Sequence, residues 1–218
     1  MPYRLFIAQR QYLIVILALI GLSMLLLQWR LGQPQSRVTL DALAYYSDRN
    51  GRPVWQVVTA HFVHLDWPHL WANLTALIAT CVIFWPIFNT TRLLVLLLFG
   101  ACGAAAAASL LADAHSFVGF SALTHALVSY ATVAVLTNTK AQRTQTDSRL
   151  DIRPAVGWFM LLAIVAKSAV ELWPTTTALN WLQQSVAAEA HLGGLLSGAL
   201  VGLGVFYRRI KTPSKPPG

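Results

Sequence analysis

The sequence predicts an all-α membrane protein: a six-transmembrane-helix bundle with a membrane-surface segment between helices 1 and 2. Two observations lead there. Hydrophobic residues make up 56% of the 218-residue chain and charged residues only 11%, against about 25% charged in an ordinary soluble domain. Several apolar runs also approach the roughly 20 residues that a helix needs to cross a bilayer.

The net charge of +8 does not indicate nucleic acid. Basic residues collect in the loops that a membrane protein keeps in the cytoplasm, and that accounts for the excess. Cys81 and Cys102 each fall inside an apolar run. They read as small core residues, not as a disulfide framework. There is no metal-binding spacing such as C-x-x-C, and no cofactor or metal is expected.

The first span is expected at about Gln11–Trp29. Its apolar part is long and no small-residue cleavage site follows, so it reads as a retained anchor. The polar stretch from Leu31 to Trp67 comes next. Trp55, Phe62 and Trp67 in it favour the membrane interface, and an irregular or partly helical surface piece is expected. The second span is about His69–Phe88, ending near Pro86, and "NTTR" makes the turn. The third, about Leu93–Ala112, carries Gly100, Gly103 and the run Ala104 to Ala108, small residues that let helices pack closely. The fourth is about Gly119–Asn138, followed by the charged loop "KAQRTQTDSRLDIR". The fifth starts near Pro154, a suitable first-turn residue, and ends near Trp173. The sixth is about Ala187–Tyr207. Residues 1–207 therefore form one membrane domain, and 208–218 a basic, proline-rich tail expected to be disordered.

Basic residues orient the bundle. With the N-terminus inside, the inner segments hold Arg4, Arg10, Arg92, Lys140, Arg143, Arg149, Arg153, Arg208, Arg209, Lys211 and Lys215, eleven in all. The outer segments hold four: Arg30, Arg37, Arg49 and Arg52. Both termini are expected in the cytoplasm.

In that topology spans two, four and six run from outside to inside. His69 and Asn73 open the second, Ser121 and His125 the fourth, and His191 lies near the start of the sixth. At about 1.5 Å per residue, all five sit in the first turns below the outer surface. Polar groups in a membrane are costly unless paired or facing a water-filled cavity. Any one of them is explained by interhelical hydrogen bonding. A serine and several histidines at one depth suggest a site. Span six adds Gly194, Gly198 and Gly202 at four-residue spacing, a smooth face for a neighbouring backbone. Span four offers Ser121, Ala122, Ala126 and Ser129 as small partners. Ser121 and His191 would then meet as an activated nucleophile and its base.

These residues resemble the rhomboid family of intramembrane serine proteases. "GFSA" at 119–122 is similar to its G-x-S-G motif, and "AHLGGLLSG" at 190–198 matches A-H-x-x-G-x-x-x-G on the last core helix. "HFVHLDWPHLWAN" at 61–73 resembles the family's second-helix start, with a His and an Asn four apart. The resemblance covers roughly residues 50 to 207, and six spans are that family's basic core. A narrower similarity is to the rhombosortase branch, through "HFVHL" and the form G-x-S-G-x-x-H.

The resemblance implies Ser121 as nucleophile and His191 as general base. It implies that His69 and Asn73 hold the oxyanion with the Ser121 N–H, while Gly119 and Ala122 border the substrate's approach. His125 falls where many rhomboids have a Tyr stacked on the catalytic ring. No Asp in spans two, four or six can orient His191, so a dyad is expected, steadied by His125. Ala122 replaces the motif's second Gly, and Gln56 follows Trp55 where many rhomboids have Arg. The branch implies membrane-anchored substrates with a C-terminal Gly-Gly, transmembrane and basic tail, cleaved near the outer face, with water or an amine as acceptor. It also implies a bacterial inner membrane with the site open to the periplasm. His64 and His61 read as interfacial or structural, with His64 at the site's border. Lys167 and Glu171 read as a snorkelling pair or as a contact for the polar part of the substrate at a lateral gate. Two rival readings remain: a proteolytically dead rhomboid-like binding protein, and a haem or metal carrier ligated by His69, His125 and His191.

Overall fold

The computed structural model describes residues 3–32, 36–46, 53–111, 116–137, 153–171 and 188–211. The charged loop from 140 to 152, the expected end of the fifth span near Trp173, the tail from 212 and the side chain of Glu171 lie outside the described residues. In chain order the elements are α1 (Tyr3–Leu31), α2 (Ser36–Leu43), β1 (Tyr45–Tyr46), α3 (Gln56–Thr59), α4 (Trp67–Ile83), α5 (Thr90–Leu111), β2 (Ser116–Phe117), α6 (Ser121–Leu136), α7 (Arg153–Glu171) and α8 (Ala188–Lys211).

Among the described residues, three stretches are long and apolar enough to cross a membrane: Arg10–Leu31, Thr90–Leu111 and Ala188–Arg208. Three more helices are apolar but shorter: Trp67–Ile83, Ser121–Leu136 and Ala155–Lys167. Six spans of similar length were expected, and the shortening has local causes. Asp66 accepts the His69 N–H at 2.7 Å and Pro68 occupies the first turn, so α4 starts at Trp67,. It ends at Ile83 rather than Phe88, because Pro86 disfavours helical geometry at Trp85 and supplies no N–H. Asn89 restarts the chain by accepting the Arg92 N–H at 2.8 Å. Gly119, with φ +108°, stands outside α6, which therefore begins at Ser121.

The segment between α1 and α4 is partly helical, as α2 and α3. It also holds a feature that the all-α expectation lacked. Tyr45 and Tyr46 pair antiparallel with Phe117 and Ser116. Two-residue strands have no alternating pattern to betray them. Gln56, the departure noted after Trp55, ties this segment internally: its Nε2 donates to the Asp41 and Ala42 carbonyls at 3.3 Å each. Phe62 is no interfacial aromatic. It packs edge-on against Phe120 at 6.0 Å, whereas Trp55 and Trp67 are exposed.

Helix α8 packs chiefly on α6 and α5. A Cβ on Gly194 would collide with the Ala122 carbonyl, and one on Gly198 with the Ala126 carbonyl. Gly202 faces Val133. The expected glycine face thus lies along α6. A second face was not anticipated: Gly193 abuts the Gly103 backbone, and Ser197 seats against Gly103. Cys81 is buried, but Cys102 is exposed on α5. Both faces of a membrane helix are apolar, so hydropathy does not tell core from lipid.

Candidate active site

Helices α4, α6 and α8 bring their N-terminal ends to one cavity of about 590 Å³. His69 and Asn73 come from α4, Ser121 and His125 from α6, and His191 from α8; Gly119, Ala122 and Lys167 also line it. Every site residue expected from the sequence reaches this place.

Ser121 Oγ lies 2.6 Å from His191 Nε2. The glycine face explains the approach, because Gly194, one turn below His191, has no side chain to hold α8 away from Ala122. His125 stacks on His191 with ring centroids 4.4 Å apart and planes 6° from parallel. Its Nδ1–H donates to the Ser121 carbonyl at 2.7 Å. That bond fixes the ring one turn below Ser121, where it covers a face of His191.

The turn before Ser121 is gripped from behind. The Gly119 N–H donates to the Ala60 carbonyl at 2.9 Å, and His61 Nδ1–H donates to the Gly119 carbonyl at 3.2 Å. The Phe120 N–H meets His64 Nε2 at 3.4 Å. Burial pushes His61 down to about 4. Burial, with His69 nearby, takes His64 down to about 3. Both rings are therefore neutral near pH 7, as an accepting His64 Nε2 requires. His61 and His64 were read as interfacial or structural; they are buried at 0% and 1% exposure and hold the serine's turn.

His69 packs edge-on to His64 at 5.1 Å, and its ring lies against Gly119, where a Cβ would come within 2.7 Å of Cε1. Positive φ and this contact both require glycine. Asn73 uses one of its two N–H groups to reach the His69 carbonyl at 3.0 Å. Among the described residues no side chain caps α6, so its first-turn N–H groups remain for an incoming negative charge. The Ala122 methyl is buried with Ala190 and Ala108.

Lys167 was expected in a snorkelling pair with Glu171 or at a lateral gate, and the Glu171 side chain lies outside the described residues. The Nζ of Lys167 lies 3.5 Å from His191 Nδ1. The sequence marked it as a charged residue in an apolar span but held no sign of its direction. Tyr45 was missed altogether. It stacks on Phe117 at 4.8 Å and donates to the Ala105 carbonyl at 3.1 Å, which ties β1 to α5 below the serine turn. Among the described residues no three His, Cys, Asp or Glu side chains are grouped to hold a metal ion.

A search of curated proteins finds no match. The rhomboid domain family, in contrast, matches residues 51–208. That range holds His69, Asn73, Ser121, His125 and His191 and most of the chain, and with its apolar helices the protein is a multi-pass membrane protein. The chain belongs to the rhomboid family, a family of intramembrane serine proteases.

Proposed function

We propose that this protein is an intramembrane serine endopeptidase acting through a Ser121–His191 dyad. We propose further that it removes the C-terminal Gly-Gly-type sorting tail of secreted proteins, as in the rhombosortase branch. The observation that carries the first part is the 2.6 Å contact between Ser121 Oγ and His191 Nε2 beneath a stacked His125. Six spans, both termini in the cytoplasm of a bacterial inner membrane and a site open to the periplasm complete the reading. The basic-residue asymmetry supports the orientation.

Ser121 attacks the scissile carbonyl, and His191 Nε2 takes its proton as the Oγ–C bond forms. The Ser121 N–H, the second Asn73 N–H and His69 stabilise the oxyanion, each donor contributing about 3 kcal/mol in a water-poor site. The C–N bond then breaks, and the proton passes from His191 to the leaving amine. His125 keeps the imidazole in plane, the orienting task of a third triad member. A Gly-Gly substrate suits the site because glycine lowers the cost of unwinding a helix, by up to about 1 kcal/mol per residue.

A serine-directed fluorophosphonate probe tests the chemistry. It should label Ser121, and His191→Ala should suppress the labelling. Ser121→Ala and His191→Ala should each abolish cleavage of a Gly-Gly-tailed reporter, and the double variant should be little worse than either, since the pair acts as a unit. Normal cleavage by Ser121→Ala would end the protease reading, and probe-inert wild-type protein would favour the inactive binding protein. The substrate class is tested by deleting the gene and comparing the C-termini of secreted proteins by mass spectrometry.

A further inference from the structure

We infer that Lys167 is a positioning residue of the dyad: at rest its ammonium keeps the proton of His191 on Nε2 and so holds the general base idle, and acyl transfer begins when the ammonium leaves. The inference rests on the reading of Ser121 as nucleophile and His191 as base. Lys167 Nζ sits 3.5 Å from His191 Nδ1, while Ser121 Oγ lies 2.6 Å from Nε2 of the same ring. The lysine thus stands at the corner of the imidazole where a Ser-His-Asp triad has its carboxylate.

The chemistry at that corner is inverted. A carboxylate accepts the Nδ1–H, leaves the Nε2 lone pair for the serine proton and steadies the imidazolium that follows. An ammonium only donates hydrogen bonds. It faces the lone pair of Nδ1, so the single proton of the neutral ring stays on Nε2, the atom that must accept the hydroxyl proton. The next step is opposed as well. Once His191 is an imidazolium, a second cation 3.5 Å away repels it. Both effects arise from the contact itself. The inhibition depends on where the ammonium stands at rest, and not on which group receives it afterwards. Asp66 lines the same cavity, and Glu171 stands one turn along α7.

The fold lets the contact be surrendered. Helix α7 packs mainly on α6, where Thr132 Oγ1–H donates to the Gly157 carbonyl at 3.1 Å. Among the described residues of α7, Gly157 alone is buried, whereas Val165, Ala166, Lys167 and Ala169 are exposed. The helix is therefore seated by its first half, and Lys167 stands on the looser second half. A separation of 3.5 Å is at the outer limit of a hydrogen bond, and the four-carbon stem of lysine is flexible. Lys167 and Ile164 supply the α7 part of the cavity lining, so a substrate segment that fills the cavity meets this side chain.

The test uses the full-length protein in lipid vesicles and the serine-directed fluorophosphonate probe, with no substrate present. Lys167→Met keeps a flexible, unbranched side chain without the charge, and it should be labelled at Ser121 about tenfold faster than the wild type. Lys167→Arg retains a cation that only donates and should stay slow. Lys167→Glu places an acceptor beside Nδ1 and should be at least as fast as Lys167→Met. A ¹⁵N NMR spectrum of His191 should show the Nε2–H form in the resting wild type and a shift toward Nδ1–H in Lys167→Met, a change that a merely structural lysine would not produce. Labelling of Lys167→Met no faster than that of the wild type would overturn the inference. So would Lys167→Arg as fast as Lys167→Met, or one tautomer shared by wild type and Lys167→Met. The two possible failures are distinguishable. If neither the wild type nor Lys167→Met takes the probe or cleaves a Gly-Gly-tailed reporter, the protease reading falls and this inference with it. If the wild type is labelled but its rate and tautomer are unchanged in Lys167→Met, the inference about the lysine falls alone.

Discussion

His125 is where a single side chain separates stacking from other roles. Its ring lies parallel to His191 and its Nδ1–H is spent on the Ser121 carbonyl. His125→Tyr keeps an aromatic face, so it should retain much of the activity, while His125→Ala should lose about tenfold or more, the scale of an aromatic contact of about 1 kcal/mol plus lost orientation. Equal losses in reporter cleavage would count against stacking. His61 and His64 make a different prediction. Burial holds them neutral down to about 4 and about 3, whereas in an unfolded chain they titrate near 6.5. Below pH 6.5 the unfolded state binds more protons than the folded one, so stability falls as pH drops toward the folded values and is fully present above 6.5. The Tm should hold steady from about pH 8 to 7 and then fall on acidification, less steeply in His61→Gln. A Tm as high near pH 4 as near pH 7 would remove these two rings from the support of the Ser121 turn.

At the scale of elements, the α6–α8 seam sets the distance between nucleophile and base. Gly198 has the Ala126 backbone where its Cβ would be, whereas Gly204 on the same helix has nothing within 4 Å. Gly198→Ala should therefore destabilise the fold by about 1–3 kcal/mol through overpacking and reduce cleavage by moving His191 from Ser121. Gly204→Ala should be neutral or stabilising by up to about 1 kcal/mol, since alanine is the better helix former. Thermal denaturation in detergent, read beside probe labelling of Ser121, compares them directly. The seam was legible because four-residue spacing of glycines maps onto one helical face. The second face through Gly193 and Ser197 was hidden, since small residues all around α8 give no preferred direction. The β1–β2 pairing, the grip of His61 and His64 on residues 119–120, and the inward turn of Lys167 were also hidden. Each depends on contacts between segments far apart in sequence, which local periodicity does not encode.

For the whole molecule, the decisive relation is that α4, α6 and α8 present their N-terminal ends to one cavity. These helices are parallel to one another, and α5 and α7 return the chain between them. Hydropathy and motif order made this alternation readable. They did not reveal that α4 and α6 are short, because Pro86 and Gly119 trim them at the ends. The arrangement makes topology a test of the site. Under the proposed topology, six crossings with both termini in the cytoplasm, the cavity opens on the side opposite the termini. Reporter fusions after Gly218 and at Asp113, in the connection leading to Ser121, should therefore report opposite compartments, with Gly218 inside. The same compartment for both would mean that α6 and α8 do not alternate with α7 as crossings. Ser121 and His191 would then be separated by the bilayer's own geometry, and no dyad would form from this chain.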